Sequence, residues 1–590
     1  MDHDRPAPNQ AKTLDEPQPT IPKGFDRRNF LRLSGLAGLG LLSGPGKARA
    51  GERPGKAAPS AGPGQYDCVI VGSGINSLVA AAVLAKAGWR VCVLERNDRL
   101  GGCIRTEELT LPGFKHDVFS SWHPLFVTSP AYAELKDALH ANGLEFANND
   151  YPTAVLLPDG RRLILKRSRQ ENIQSMNAAA AGDGDSYQRN LAELEKSASL
   201  TFGLLGKDLW SYGFTRMMCS QAYDMGMHEF MSYFGESFQT ARGWLEENFK
   251  SDLCHALMAP WVLHTGLGPD SALSGFMDRL IFFTLEVAGM PVVKGGSEGL
   301  LKAFVKYIES RNGRFVVKAD VDKILTQGKK AVGVRTVDGQ TYLAAKAVLC
   351  SVTPGQLYQR LLSPELIPAE VKSQAGQYRF GKGGMQIHLA LDQPPRWPDP
   401  ELGKVAMVHL TPGLNGVSMA GNQAENGLLP AEGTIVVGQP TALDPSRAPQ
   451  GKAILWLQLQ ELPSEGGLKG DARGEIAAPA DGKWTQEIAE KYADRIIDRL
   501  AGQIPNLKES ILARKVLSPA DLARANINLV GGDPYSGACS LDQFFFWRPL
   551  RATKNHSTPL EGLYHIGAST HPGPGLGGVS GLLAAKELLD

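Results

Sequence analysis

Four consecutive apolar residues, Cys68–Val71, predict a buried strand, and a glycine-spaced turn at Gly72 and Gly74 follows at once. An alanine- and leucine-rich stretch predicts a helix from about Ser77 to Ala87, ended by Gly88. Arg90–Leu94 predicts a second strand, which delivers Glu95 to its carboxyl end, 23 residues beyond Gly72. This order sets a helix N-terminus against a phosphate and a carboxylate against a ribose. Gly72, Gly74, Ile75 and Asn76 are the expected phosphate-side contacts, with Glu95 and Arg96 on the ribose side. The third glycine of the pattern is replaced by Ser77, the least bulky substitute after alanine at a close-packed position.

The same alternation of turns and apolar runs recurs later. Pro291–Lys306 predicts a short strand, a turn at Gly295-Gly296 and an amphipathic helix. Phe315–Val321, Ala331–Val337 and Thr341–Ala345 predict a β-meander, with Asp338-Gly339 as one of its turns, and Ala347–Cys350 predicts a buried strand. Near the end, Leu563–Ile566 predicts a strand and Leu582–Leu589 a helix. Between them, Gly567 and the Gly/Pro-dense segment His571–Gly581 offer exposed backbone N–H groups to an anionic or carbonyl-rich ligand edge. The run Leu280–Met290 is apolar but carries Glu286, so it reads as core or as the wall of a substrate pocket rather than a membrane span. No solenoid-type repeat occurs.

Two further stretches carry a family resemblance. Gly101-Gly102, in ERNDRLGGCIRTEE, resembles the second glycine pair of the glutathione-reductase-like flavoproteins. Gly562–Leu589, GLYHIGASTHPGPGLGGVSGLLAAKELL, resembles the C-terminal flavin motif of the phytoene-desaturase-related oxidoreductases, and Ser540–Leu550, SLDQFFFWRPL, resembles their PYROXD2-like subgroup. The likeness spans about residues 66–590 and implies FAD as cofactor. It implies that Gly101 and Gly102 lie beside the ribityl and phosphates, and that Val321 offers a backbone contact to the adenine. It also implies that Gly567 and Ala568 lie near the phosphates and ribityl, with Gly578, Val579 and Ser580 at the pyrimidine edge of the ring. Candidates for the reacting end are His123, in HDVFSSWHPLF, with Trp547 and Arg548 opposite; Arg548 would anchor an acid or stabilise reduced flavin. His571 is a further candidate for a polar contact near the ring.

Composition narrows the classes. With 62 basic and 61 acidic residues the net charge is +1, which offers no electrostatic footprint for nucleic acid. Seven cysteines form no C-x-x-C pair, so no disulfide redox centre is expected, and the twelve histidines show no metal-binding spacing. Cys68, Cys92 and Cys350 read as small core hydrophobes. At the N-terminus, Arg27-Arg28, then Phe30-Leu31, a weakly apolar Leu33–Leu42 and Ala48-Arg49-Ala50 resemble a cleavable twin-arginine export signal. That signal implies contact with the machinery that exports folded proteins, and a periplasmic mature chain. Cytoplasmic residence with peripheral membrane contact is the alternative.

The expected fold is a two-lobed α/β flavoprotein of the glutathione-reductase-like and amine-oxidase-like type. Residues 66–170, 286–365 and 531–590 would form a Rossmann-like FAD domain, and 171–285 with 366–530 a mixed α/β substrate domain, after a signal segment (1–50) and a lead-in (51–65). The expected activity is hydride transfer between a hydrophobic or conjugated small molecule and flavin N5, with oxygen, a quinone or another carrier as acceptor. Amine-oxidase-like chemistry on a C–N bond and a flavin-bound scaffold with little turnover are the alternatives.

Overall fold

Residues 65–590 are the residues described in this computed structural model. The export-signal expectation, and the lead-in except Gln65, lie outside them. In chain order the elements that place the site are β1 (Gln65–Val71), α1 (Ile75–Lys86), β2 (Val91–Leu94), β3 (Thr153–Leu156), β4 (Arg162–Leu165), α2 (Ser274–Ala288), α3 (Glu298–Glu309), β5 (Arg314–Val316), β6 (Val321–Gln327), β7 (Lys330–Thr336) and β8 (Thr341–Ser351). There follow β9 (Gly383–Leu391), β10 (Met407–Leu410), β11 (Ile435–Gly438), β12 (Ala453–Leu462), α4 (Gln486–Ala501), β13 (Ile511–Leu517), β14 (Leu563–Ile566) and α5 (Val579–Leu589).

The first sheet runs β6–β7–β8–β1–β2–β5, with β14 pairing to β8. At its centre β1 lies parallel to β2 and β8. Cys68 and Ile70 face the core under α1, while Val69 and Val71 face a second apolar cluster. A strand covered on both faces needs an unbroken apolar run, which is what Cys68–Val71 supplies. The strand β8 has two halves. Thr341–Leu343 pairs antiparallel with β7, and Val348–Ser351 pairs parallel with β14. The predicted break between Thr341–Ala345 and Ala347–Cys350 is therefore absent.

One boundary shifts for a clear reason. Alternation predicts Phe315–Val321 as a single strand, but β5 ends at Val316 and Val321 opens β6. Lys318 has φ 56°, and its N–H donates to Asn97 O while Ala319 N–H donates to Glu95 O. The apparent alternation thus spans a corner, which carries the chain past the end of β2.

The second sheet runs β13–β9–β12–β11–β10–β3–β4. Residues 153–165, expected in the first cofactor segment, instead supply its last two strands. Thr153–Leu156 is buried throughout: Ala154 and Leu156 enter one core, Val155 the opposite one, and β10 pairs with it in parallel. One face of this sheet packs against α4 through Leu455, Leu457 and Leu459. The other face carries Val155, Met407, Val436 and Trp456 into the apolar cluster that holds Phe282 and Phe283 of α2. The Leu280–Met290 run lies largely in α2, where Glu286 accepts hydrogen bonds from Arg169 (2.6 Å) and from Tyr187 (2.9 Å).

A fully buried ion pair joins the lobes. The Arg447 guanidinium, beyond β11, donates to Asp117 and to Val293 O at 2.8 Å. Asp117 also accepts from Ser121 (2.5 Å), Thr106 (2.7 Å) and the Ser297 amide (2.8 Å) at the start of α3. Burial pushes the Asp117 carboxyl up, but Arg447 and the hydroxyl donors outweigh it and hold the carboxyl at about 2. Its stabilising effect is complete above the ordinary value of 3.8 and is lost as the pH falls through about 2.

Asp117→Asn removes the closer counter-charge of buried Arg447 and leaves only Asp444, at 3.4 Å, so it should cost about 3 kcal/mol near neutral pH. Chemical denaturation at stepped pH should show the gap from wild type narrowing between pH 4 and pH 2. A gap that stays constant across that window would mean the carboxylate charge is not the source.

Candidate functional site

Gly72 and Gly74 close the turn after β1, and Gly74 sits at the N-terminal boundary of α1, where no side chain caps the helix. The first amides of α1 are therefore left to a ligand. Around this turn a knot of side chains forms. Glu95 Oε2 accepts from Ser73 Oγ (2.6 Å) and from the Ser73 amide (3.1 Å), and Oε1 accepts from the Asn97 amide (3.0 Å). Ser73 Oγ in turn accepts from the Gly101 amide at 2.9 Å. Gly102, with φ +59°, rests on the first turn so closely that a Cβ there would lie 3.1 Å from Gly74 Cα. The two glycine motifs thus touch backbone to backbone.

The C-terminal half-site closes on them. The Gly578 boundary of α5 has no side-chain cap either. At the crossing of α1 and α5 Gly581 has no room for a side chain against the Asn76 carbonyl, and its amide donates to Asn76 Oδ1 at 3.3 Å. Ser580 does not line the cavity. Its Oγ accepts from the Gly567 amide (3.0 Å) and bonds to Thr570 (2.7 Å) and His556 (3.1 Å), holding the strand end against the helix start.

Between these parts lies one cavity of about 540 Å³. Gly72, Gly74, Ile75, Asn76, Glu95, Arg96, Gly102, Val321, Gly567, Ala568, Gly578 and Val579 all line it. Gly101 stands behind the lining with Ser580. Apart from Gly74 and its chain neighbours, no protein atom comes within 4 Å of the place a Gly74 Cβ would occupy, so that space belongs to the cavity. Two uncapped helix N-termini, a buried carboxylate and glycines that keep the space open fit FAD. The ribose side was only partly legible: Asp320 lies 3.6 Å from Arg96 and 2.8 Å from Arg360, and Arg360 also donates to Val321 O at 3.2 Å. Arg360 lies outside every local motif, and only the fold brings it here.

The three reacting-end candidates fall elsewhere. The His123 ring is buried away from the cavity against Phe146 (6.5 Å between centroids), and burial lowers it to about 4. Its neighbours Trp122 and Pro124 do line the cavity. Trp547 is 41% exposed and points off the site, while Phe544 takes the lining position. Arg548 is buried and fully engaged: it donates to Ala568 O (2.7 and 3.1 Å), Tyr535 O (3.0 Å) and Ala538 O (3.2 Å). It is a positioning residue for the Ala568 loop and leaves nothing free for a substrate acid. His571 is likewise buried, bonded to Lys207 O at 3.1 Å.

The far end of the cavity is built by the second sheet and α2. Met277, Leu280 and Ile281 of α2 face Met407, Trp456 and Gln458, with Trp261 and His264 at the side. Sequence patterning did not single out these strand residues, because their shared face exists only once the second sheet has formed.

Known proteins agree with this architecture. The family model for flavin containing amine oxidoreductases matches residues 78–589. Pyridine nucleotide-disulfide oxidoreductase domain-containing protein 2 of Rattus norvegicus is 25% identical, over 88% of this chain and 93% of its own. The neurosporene-forming phytoene desaturase of Cereibacter sphaeroides is 25% identical, over 87% and 92%. An oxidoreductase from Methanosarcina mazei has the same fold, with a TM-score of 0.53 at 18% identity, over 88% of this chain and 99% of its own.

Gly74→Val places branched bulk inside the cavity, so purified protein should carry little flavin, read as the ratio of visible to ultraviolet absorbance. Glu95→Gln keeps the shape but loses the charge that holds Ser73 and Asn97, and should weaken FAD binding by about 1–3 kcal/mol. Wild-type flavin content in both variants would remove the cofactor assignment.

Proposed function

The chain belongs to the flavin containing amine oxidoreductase family and is an FAD-dependent oxidoreductase, and from that premise we propose that it dehydrogenates a hydrophobic or conjugated small molecule. One observation carries this reading. Every Asp, Glu, Lys or Arg that lines the cavity, namely Glu95, Arg96, Asp320 and Arg360, lies at its ribose end. The far end offers methionine, leucine, isoleucine and tryptophan, with no carboxylate among the described residues to pair with an ammonium. That disfavours a cationic amine, because burying an unpaired charge is costly. The phytoene desaturase name of one relative points the same way.

Bound FAD would supply a hydride acceptor at N5. The chain's own residues do the rest. The uncapped starts of α1 and α5 would hold the cofactor's anionic and carbonyl edges. Arg548 fixes the Ala568 loop beside them, and the apolar wall of α2 excludes water. Oxygen, a quinone or another carrier would complete the cycle.

Export through the twin-arginine route belongs to the same proposal, supported by Arg27-Arg28, Phe30-Leu31 and Ala48-Arg49-Ala50. Among the described residues no helix is long and apolar enough to cross a membrane. Exposed Tyr212, Tyr223, Met227 and Met231 would suit peripheral contact with a lipid surface.

Anaerobic titration of the FAD-loaded protein separates the chemistries. A cyclic terpene or a polyene should bleach the flavin absorbance, whereas a primary amine should not. Bleaching by the amine alone would transfer the assignment to C–N oxidation. For localisation, replacing both Arg27 and Arg28 with Lys should retain the chain in the cytoplasm, read by fractionation and N-terminal sequencing. Unchanged export would rule out the twin-arginine route.

A further inference from the structure

The far wall of the cavity is not uniformly hydrocarbon. Along β12, Leu455, Leu457 and Leu459 enter the core, so Trp456, Gln458 and Gln460 present to the opposite face. Gln386 of β9 lies in register with Gln458. Two of these three amides are committed through Nε2 alone: Gln386 Nε2 donates to Phe119 O at 3.1 Å, and Gln460 Nε2 donates to the Tyr535 hydroxyl at 2.9 Å, while their Oε1 atoms have no partner among the described residues. Gln458 lines the cavity with an amide that bonds to none of the described residues.

A second polar group shares this end. His264 lines the cavity, stacks on Trp261 at 4.6 Å and meets His409 Nε2 through its own Nε2 at 3.1 Å. Its Nδ1 has no partner among the described residues. One of the two Nε2 atoms carries the shared proton, so Nδ1 of His264 is a donor or an acceptor depending on which one does. Burial lowers His264 to about 3 and holds His409 well below the ordinary imidazole value, so both rings are neutral at ordinary pH.

We propose that Gln458 and His264 recognise a neutral hydrogen-bonding group, a ketone carbonyl or a hydroxyl, on an otherwise apolar substrate. The inference rests on the dehydrogenase reading of the same cavity and narrows its substrate class. A pure hydrocarbon leaves a desolvated amide and imidazole unpaired, and a cation meets neutral partners only; a neutral polar group satisfies both side chains.

The test uses FAD-loaded protein and three ligands on one carbon skeleton: 2-decalone, decalin and protonated decahydro-2-naphthylamine. Calorimetry should show the ketone binding at least tenfold more tightly than either other ligand. The volume-conserving variants Gln458→Met and His264→Phe should each reduce the ketone-to-decalin ratio several-fold while decalin affinity stays within twofold. Flavin content per chain reports that each variant is folded. The carbonyl stretch of bound 2-decalone should shift to lower wavenumber, and part of that shift should vanish in Gln458→Met. Decalin binding as well as the ketone, variants that leave the ratio unchanged, or no binding by any of the three would overturn the proposal. A ketone preference in a protein whose flavin is bleached by no terpene or polyene, oxygenated ones included, would sink the dehydrogenase reading and leave this recognition standing.

Discussion

The buried contact between Asp117 and Arg447 sets the spacing on which the rest of the structure depends. Neither group reaches water, so each must find its partners inside the protein or destabilise it. Asp117 precedes Ser120–Trp122 of the cavity lining, and it grips the start of α3 through Ser297. Arg447 comes from the second sheet's side and reaches Val293, in the short strand Val292–Val293 ahead of α3. Asp444 accepts from the Gly295 amide at 2.6 Å, tightening the same junction. The two lobes are therefore pinned at one dry point beside the cavity, and its walls take their separation from that point.

From this pin the cavity acquires two different ends. The ribose end is polar and is organised by backbone: helix starts, a carboxylate knot and glycines that keep side chains out. The far end is organised by side chains on a sheet face and on α2. Charge is confined to the first, so a ligand passing from one end to the other leaves a field of fixed charges for one of neutral dipoles and hydrocarbon.

The first end was legible in the sequence because its determinants are local. The order of β1, turn, α1, β2 and Glu95 is written in thirty residues, and Gly567–Gly581 is nearly as compact. Two errors there have one cause: Val321 opens a strand instead of closing one, and β8 is one strand instead of two, because alternation does not register a corner or its absence. The far end was not legible. Whether Gln458 meets the cavity depends on which face of β12 packs on α4, and whether His264 reaches it depends on a pairing with His409, 145 residues away. Among the aromatic run, Phe544 rather than Trp547 faces inward because the turn at Phe545 rotates the next residues outward. The His123 ring likewise packs on Phe146, a partner that sequence proximity does not indicate.

The contact between Gly581 and Asn76 spans 505 positions of chain. The N-terminal glycine motif therefore leaves the ribosome long before its counterpart exists, and the cofactor cradle stays open until α5 has been made. Contacts of such sequence separation close late, since loop-closure entropy opposes them until much else is in place. Helix α5 acts as a latch, and a chain that stops before it is left with an exposed β1–α1 edge and nothing to hold a dinucleotide there. Loading in this sense waits on α5: only a chain made through Gly581 can hold its flavin.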